Sequence, residues 1–201
     1  MLLDPLSNLQ IAHYAGKWPL NLTCFISRRY ATVLIGASLF TSFACGAGER
    51  MKYELLQNDT VSQGGRTLYR VRRLSDGLLG GYIESEANLS QVGHCFLFSK
   101  SRAFGNARIR DNAQVYGMVY DDAQVSGDAQ VYGQAYGHAQ IKDRAVVHGQ
   151  VYDRAILKDN GEVFGQAYDD SVVKDYAKVY GLIYGHSTVS GNDVIYGQKG
   201  G

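Results

Sequence analysis

The chain has 201 residues and a formal charge of +1, a balance that does not favour broad electrostatic capture of nucleic acid or anionic membrane. Its 24 glycines and 2 prolines suit frequent tight corners rather than a disordered linker. The three cysteines, Cys24, Cys45 and Cys95, form no even, regularly spaced framework, so a disulfide-stapled secreted scaffold is not expected.

Residues 1–50 show neither a helical nor a strand period. Their one feature is Arg28-Arg29 followed by a stretch without charge from Ala31 to Gly48, with Ser42-Phe43-Ala44-Cys45 as a loose lipoprotein box. The run is marginal in length for a membrane span and rich in Gly, Ser and Thr, so no transmembrane helix is read there. Met51 is the internal start that leaves every repeat intact. Two readings of the leader stand: a non-native or disordered extension of a cytoplasmic protein, or an export segment anchored through Cys45.

Residues 51–100 read as a small β cap and a first coil. KYELL, the turn-prone QNDTVSQGG and TLYRVRRL suggest a hairpin, with Leu68, Arg70 and Arg72 on one face and Tyr69, Val71 and Arg73 on the other. SDGLLGG is a turn cluster. Cys95 falls on a small inward position, where a thiol acts as a small hydrophobe.

Residues 101–196 are six consecutive 16-residue units without insertions. Fixed self-similarity of this kind is the signature of a solenoid, in which each unit buries its apolar face against its neighbours. Each unit holds the hexad [Gly/Asp]-x-[Ala/Ser]-x-[Val/Ile/Leu]-x twice, then a four-residue piece Gly-x-aliphatic-aromatic. A small residue two before an aliphatic one points to the same side of a strand. This predicts inward rows at Ala107, Ala123, Ala139, Ala155, Ser171 and Ser187, at Ile109, Val125, Ile141, Leu157, Val173 and Val189, and at Val115, Val131, Val147, Val163, Val179 and Ile195. Gly or Asp at each hexad entry suits a left-handed corner. The expected fold is all-β: a single-stranded parallel β-helix, left-handed by its hexapeptide spacing, with one side shortened because the unit has sixteen rather than eighteen residues. Asp193 breaks a small row in the last unit, either as a charge that deters end-to-end stacking or in a coil that frays. Residues 197–201 form a tail.

TLYRVRRL (Thr67 to Leu74), GGYIESEANLS (Gly80 to Ser90) and Gly93-His94-Cys95, followed by the tandem units, resemble a bacterial and prophage-associated group of hexapeptide-repeat proteins of isoleucine-patch type. The resemblance covers roughly residues 52–196, with a shorter loop between Arg73 and Gly80 than the family pattern. It implies a coenzyme-A-dependent acyltransferase, using acetyl-coenzyme A, with its site at a subunit interface. Such chemistry needs a general base, usually His. His94, near the cap junction, is the candidate catalytic residue. His148 sits in an aromatic row, and His13 lies in the leader. His138 and His186 share one place in the unit three coils apart, too far to share a metal ion. No metal site is expected.

Two aromatic rows flank the short side: Phe104, Tyr120, Tyr136, Tyr152, Tyr168 and Tyr184, and Tyr116, Tyr132, His148, Phe164, Tyr180 and Tyr196. Their tyrosines, Tyr116, Tyr120, Tyr132, Tyr136, Tyr152, Tyr168, Tyr180 and Tyr184, are the candidate binding residues, for sugar rings or a partner chain. Cross-coil stacking within the solenoid is the other use of the same rows. Lys142, Lys158 and Lys174 beside Asp143, Asp159 and Asp175 read as a solvated charged face rather than a calcium ladder. Residues 101–196 supply no projecting loop to wall a pocket. The expected function is therefore a non-catalytic structural or binding module that requires no cofactor and self-associates through one solenoid face.

Overall fold

Alternating apolar residues from Tyr53 onward begin a strand that runs further than the turn-prone composition suggests. The computed structural model describes residues 51–201, so the readings of Cys24, Cys45, His13 and the leader fall outside the described residues. Strand β1 (Tyr53–Gln63) pairs antiparallel with β2 (Arg66–Arg73). QNDTVSQ is thus strand and not turn. A register shift between Leu56 and Thr60 absorbs its polar residues as a bulge. The reversal is confined to Gly64-Gly65, both at positive φ, the requirement of a two-residue hairpin turn. Strand β3 (Leu79–Ile83) then pairs antiparallel with β2 and parallel with Arg102–Ala103, so the cap merges into the solenoid wall.

Beyond the cap the protein is a parallel β-solenoid of seven coils. Two-residue strands stack into three sheets of ten, seven and six strands. The ten-stranded sheet carries β1 to β3 and then the short face, Met118–Val119 pairing with Gln134–Ala135 and so on to Gln198–Lys199. From Arg102 onward each strand pairs with the one sixteen residues later. The first coil departs from this: Tyr82 pairs with Arg102, Leu89 bridges Ile109, and Phe96 pairs with Gln114. Two of its extra residues fall in the Gln91–His94 corner and two between Leu97 and Arg102.

The predicted inward rows are the core. Ala107, Ala123, Ala139 and Ala155 and every aliphatic of the two long rows up to Val189 are buried. Each aliphatic so buried contributes about 1.5–3 kcal/mol of transfer free energy. Ser171 and Ser187 continue the Ala row, but neither hydroxyl has a hydrogen-bond partner.

Two different devices turn the corners. Seven aspartates, Asp111 to Asp175, have φ between 54° and 61°. Their carboxylates accept the amide of the equivalent residue one coil on, as in Gly127 N–H to Asp111 Oδ2 at 3.0 Å and Gly191 N–H to Asp175 Oδ2 at 2.9 Å. Asp at these corners therefore supplies a hydrogen bond as well as tolerance of the left-handed region. At the entry to the short face, Tyr116 and Gly117 both donate to Val131 O, at 2.8 and 3.0 Å. The backbones approach so closely there that a Cβ on Gly117 would collide with the carbonyl of Gly133, and the contact recurs at Gly133, Gly149, Gly165 and Gly181.

The two ends differ. The cap seals the first coil: Tyr53 is fully buried and its hydroxyl donates to Leu89 O at 2.6 Å. The final coil does not fray. Lys178 N–H still donates to Asp193 O at 2.9 Å, and Val194–Ile195 pair with Lys178–Val179. Asp193 itself is exposed.

Candidate functional site: the aromatic ladders and the cap junction

In each unit the four-residue piece between hexads brings an aromatic to both borders of the short face. Parallel stacking in exact sixteen-residue register then places each ring over its equivalent. One ladder runs Phe104, Tyr120, Tyr136, Tyr152, Tyr168, Tyr184, with ring centroids 4.8 to 5.6 Å apart. The other runs Tyr116, Tyr132, His148, Phe164, Tyr180, Tyr196 at 4.5 to 5.2 Å. Phe98 extends it by one rung, 4.8 Å from Tyr116. Eighteen residues separate that pair, so a sixteen-residue register does not reveal Phe98.

Interplanar angles within the ladders lie between 0° and 14°. Parallel rings at strand spacing reach van der Waals contact, at about 3.5 Å, only by tilting and slipping like shingles. Neighbouring rings therefore take up much of each ring face. What is left for a partner is the ring edges and hydroxyl rims, which narrows the scope for face-on stacking of sugars. The second ladder is nonetheless exposed, Tyr116 by 38%, Tyr132 by 43%, Tyr180 by 44% and Tyr196, at the open end, by 77%. The rings from Phe104 to Tyr184, by contrast, are half-buried. Burial raises the phenol pKa of Tyr120, Tyr136 and Tyr152, with nearby tyrosine and aspartate charges adding to it.

Between the ladders the short face presents Met118, Gln134, Gln150, Gln166 and Leu182 in one outward row. From Tyr116 to Tyr120, and in the four equivalent segments, no Asp, Glu, Lys or Arg occurs. Charges lie elsewhere. Arg154 forks onto Asp170 with two bonds of 2.6 Å, lowering the carboxyl pKa of Asp170. His138 lies 3.8 Å from Asp122 and His186 3.9 Å from Asp170, both imidazoles largely exposed. Lys178 reaches Glu162 at 3.1 Å. Exposed contacts of this kind contribute little stability.

The Gln91–His94 corner and the cap enclose a depression of about 460 Å³ lined by Lys52, Arg73, Asp76, Gln91, His94 and Cys95 among others. His94 is exposed at its rim. Lys52 Nζ donates to Cys95 O at 2.8 Å and approaches Cys95 Sγ at 3.1 Å, while Gln91 Oε1 accepts from Lys52 N–H at 2.8 Å. The Cys95 thiol is buried as expected, but it also anchors the cap. Arg73 clasps Asp76, whose carboxyl is held down at about 2 by that bond. The Lys52 contacts do not show in the residue pattern, because their partners lie about forty residues apart.

Scanned against the sequence models of known protein families and against curated proteins, the chain matches none. The fold and its surface define a β-solenoid with exposed aromatic ladders, an arrangement that fits a structural or binding module.

Proposed function

We propose that this protein is a non-catalytic structural or binding module that acts through its exposed aromatic and charged ladders. The observation that carries the reading is the pair of aromatic ladders bordering a short face without formal charge. Exposed tyrosine edges beside amides and aliphatics make an amphipathic stripe of the sort that protein partners bury. The module works without a cofactor and associates with itself through one solenoid face. A cytoplasmic location accompanies the reading in which residues 1–50 are a leader without an export role.

A second reading is coenzyme-A-dependent acetyl transfer to a hydroxyl or amine, which the resemblance to hexapeptide-repeat acyltransferases implies. The exposed imidazole of His94, at a depression that also holds Lys52 and Arg73, supports it. Two cations suit a phosphate-bearing coenzyme, and a His suits a general base. Titration calorimetry with acetyl-coenzyme A, combined with light scattering, separates the two. No heat of binding, with a monomer or a two-fold dimer, is the expected result. Micromolar binding to a trimer overturns the first reading in favour of the second.

A further inference from the structure

The outward row of the short face is close to a palindrome about Gln150. Along the sheet it reads Arg102, Met118, Gln134, Gln150, Gln166, Leu182, Gln198. Both ladders share the same centre. Around His148, Tyr132 mirrors Phe164 and Tyr116 mirrors Tyr180; around Tyr152, Tyr136 mirrors Tyr168 and Tyr120 mirrors Tyr184. A two-fold dimer uses one patch against itself, so a surface symmetric about its own midpoint is suited to it.

We propose that the short face binds the short face of a second copy of this chain, antiparallel, about a two-fold axis through Gln150. The proposal rests on the ladder reading above and names the partner of that surface. In this arrangement Gln150 meets its own mate, Gln134 meets Gln166, and Met118 meets Leu182. An amide is both donor and acceptor, so it is the polar group best able to bond its own copy. Apolar residues meet apolar ones, and ladder meets ladder.

Charge selects the antiparallel direction. Arg70, Tyr82 and Arg102 extend the outward row toward the cap. A parallel pairing would stack Arg102 on Arg102, and like charges set opposite each other disfavour an interface. The antiparallel pairing places Arg102 over Gln198 instead. The next face carries Lys142, Lys158 and Lys174 beside Asp143, Asp159 and Asp175, charges whose desolvation against a second copy is costly. Repeat length also favours a second copy. Two identical solenoids share one strand spacing and stay in register along the whole face, whereas a polymer of another period drifts.

Seven rungs of about 4.8 Å by four residues of about 3.3 Å give a flat footprint on the order of 450 Å² per copy, larger once side-chain relief is included. That is the small end of specific interfaces, so a dimer in the micromolar range is expected.

Sedimentation velocity of the full chain from low to high micromolar concentration tests the proposal. Wild type is expected to pass from monomer to dimer. Gln150→Lys sets two ammonium groups face to face at the axis and should weaken association about tenfold or more at an unchanged melting midpoint. Lys158→Gln, on the neighbouring face, should leave it unchanged. Mild oxidation of Gln150→Cys should yield a dimer linked through the two position-150 thiols, mapped by mass spectrometry. Gln134→Cys, whose mate lies opposite position 166, should not self-link. A folded chain that stays monomeric throughout, association insensitive to Gln150→Lys, or self-linking at 134 instead of 150 each overturns the dimer. Those results leave the binding-module reading standing; acetyl-coenzyme A binding to a trimer overturns that reading instead.

Discussion

Lys199 Nζ donates to Thr188 O at 2.8 Å across the last coil. Lys199 continues the inward row of the short face, Ala103, Val119, Ala135, Val151, Ala167 and Ile183. Its stem lies where an aliphatic would sit and its ammonium takes up a carbonyl at the open edge. With the exposed Asp193, it puts two charges at an end whose three outermost strands would otherwise template another chain. Lys199→Val together with Asp193→Ala should therefore promote end-to-end association, read as growth in scattering mass with concentration. Unchanged mass would show that these charges do not guard the end.

Ser171 tests the core. Its hydroxyl is fully buried without a partner, in a row whose other members are mostly Ala. Leaving such a group unpaired costs about 1–3 kcal/mol. Ser171→Ala should accordingly stabilise the protein by about 1 kcal/mol in denaturant unfolding. A loss of stability would mean that the hydroxyl has a partner, such as a buried water.

The glycines of the two corners should behave oppositely. Gly149→Ala directs a Cβ onto the carbonyl of Gly165, and a backbone cannot yield as a side chain does. A loss of about 3 kcal/mol or more is expected, in line with severe overpacking. Gly191 sits at φ +62° with open space around its missing Cβ, in a row where Asp143, Asp159 and Asp175 adopt the same conformation. Gly191→Asp should cost less than about 1 kcal/mol. Thermal melts of the two variants side by side check the contrast.

The tyrosines set a limit at alkaline pH. Burial raises the pKa of Tyr120, Tyr136 and Tyr152 above the ordinary value of 10.0, and that of Tyr53 further. In the window above pH 10.0 the folded state then holds more protons than the unfolded one, so stability falls as pH rises. The stabilising contribution is fully present below the unfolded pKa and is lost as pH climbs through the raised folded values. Phenolate absorbance should thus appear at higher pH in the native protein than in denaturant, with Tyr53 among the last groups to ionise. Coincident native and denatured titrations would contradict the burial of these rings.

At acid pH the direction reverses at the cap. Asp76 is lowered from 3.8 to about 2 by its bond to Arg73. Its contribution is present above pH 3.8 and is lost as pH falls through about 2. Because the carboxylate is exposed, Asp76→Asn should lower the melting midpoint only slightly at neutral pH, and the difference should vanish well below pH 2.

The solenoid, its inward rows and its glycine and aspartate corners are legible in the chain because the interactions that set them are periodic. Once Ala107, Ala123 and Ala139 recur at one spacing, stacking is the arrangement that buries them all. The same register displays the palindrome around Gln150. The cap is less legible. The polar run QNDTVSQ reads as turn, yet pairing with β2 and a bulge make it strand. Phe98 joins a ladder from outside the register, and Lys52 finds Cys95 through contacts that no local pattern encodes.

Local repetition decided which residues face inward, where the chain turns and that coil must stack on coil, since each of these depends on neighbours at a constant separation. Tertiary packing decided the rest: that the aromatic rings spend their faces on one another, that the cap closes one end through Tyr53 and Lys52, and that Lys199 and Asp193 finish the other. Those outcomes depend on the distance and orientation of groups far apart in the chain, and a one-dimensional period carries neither.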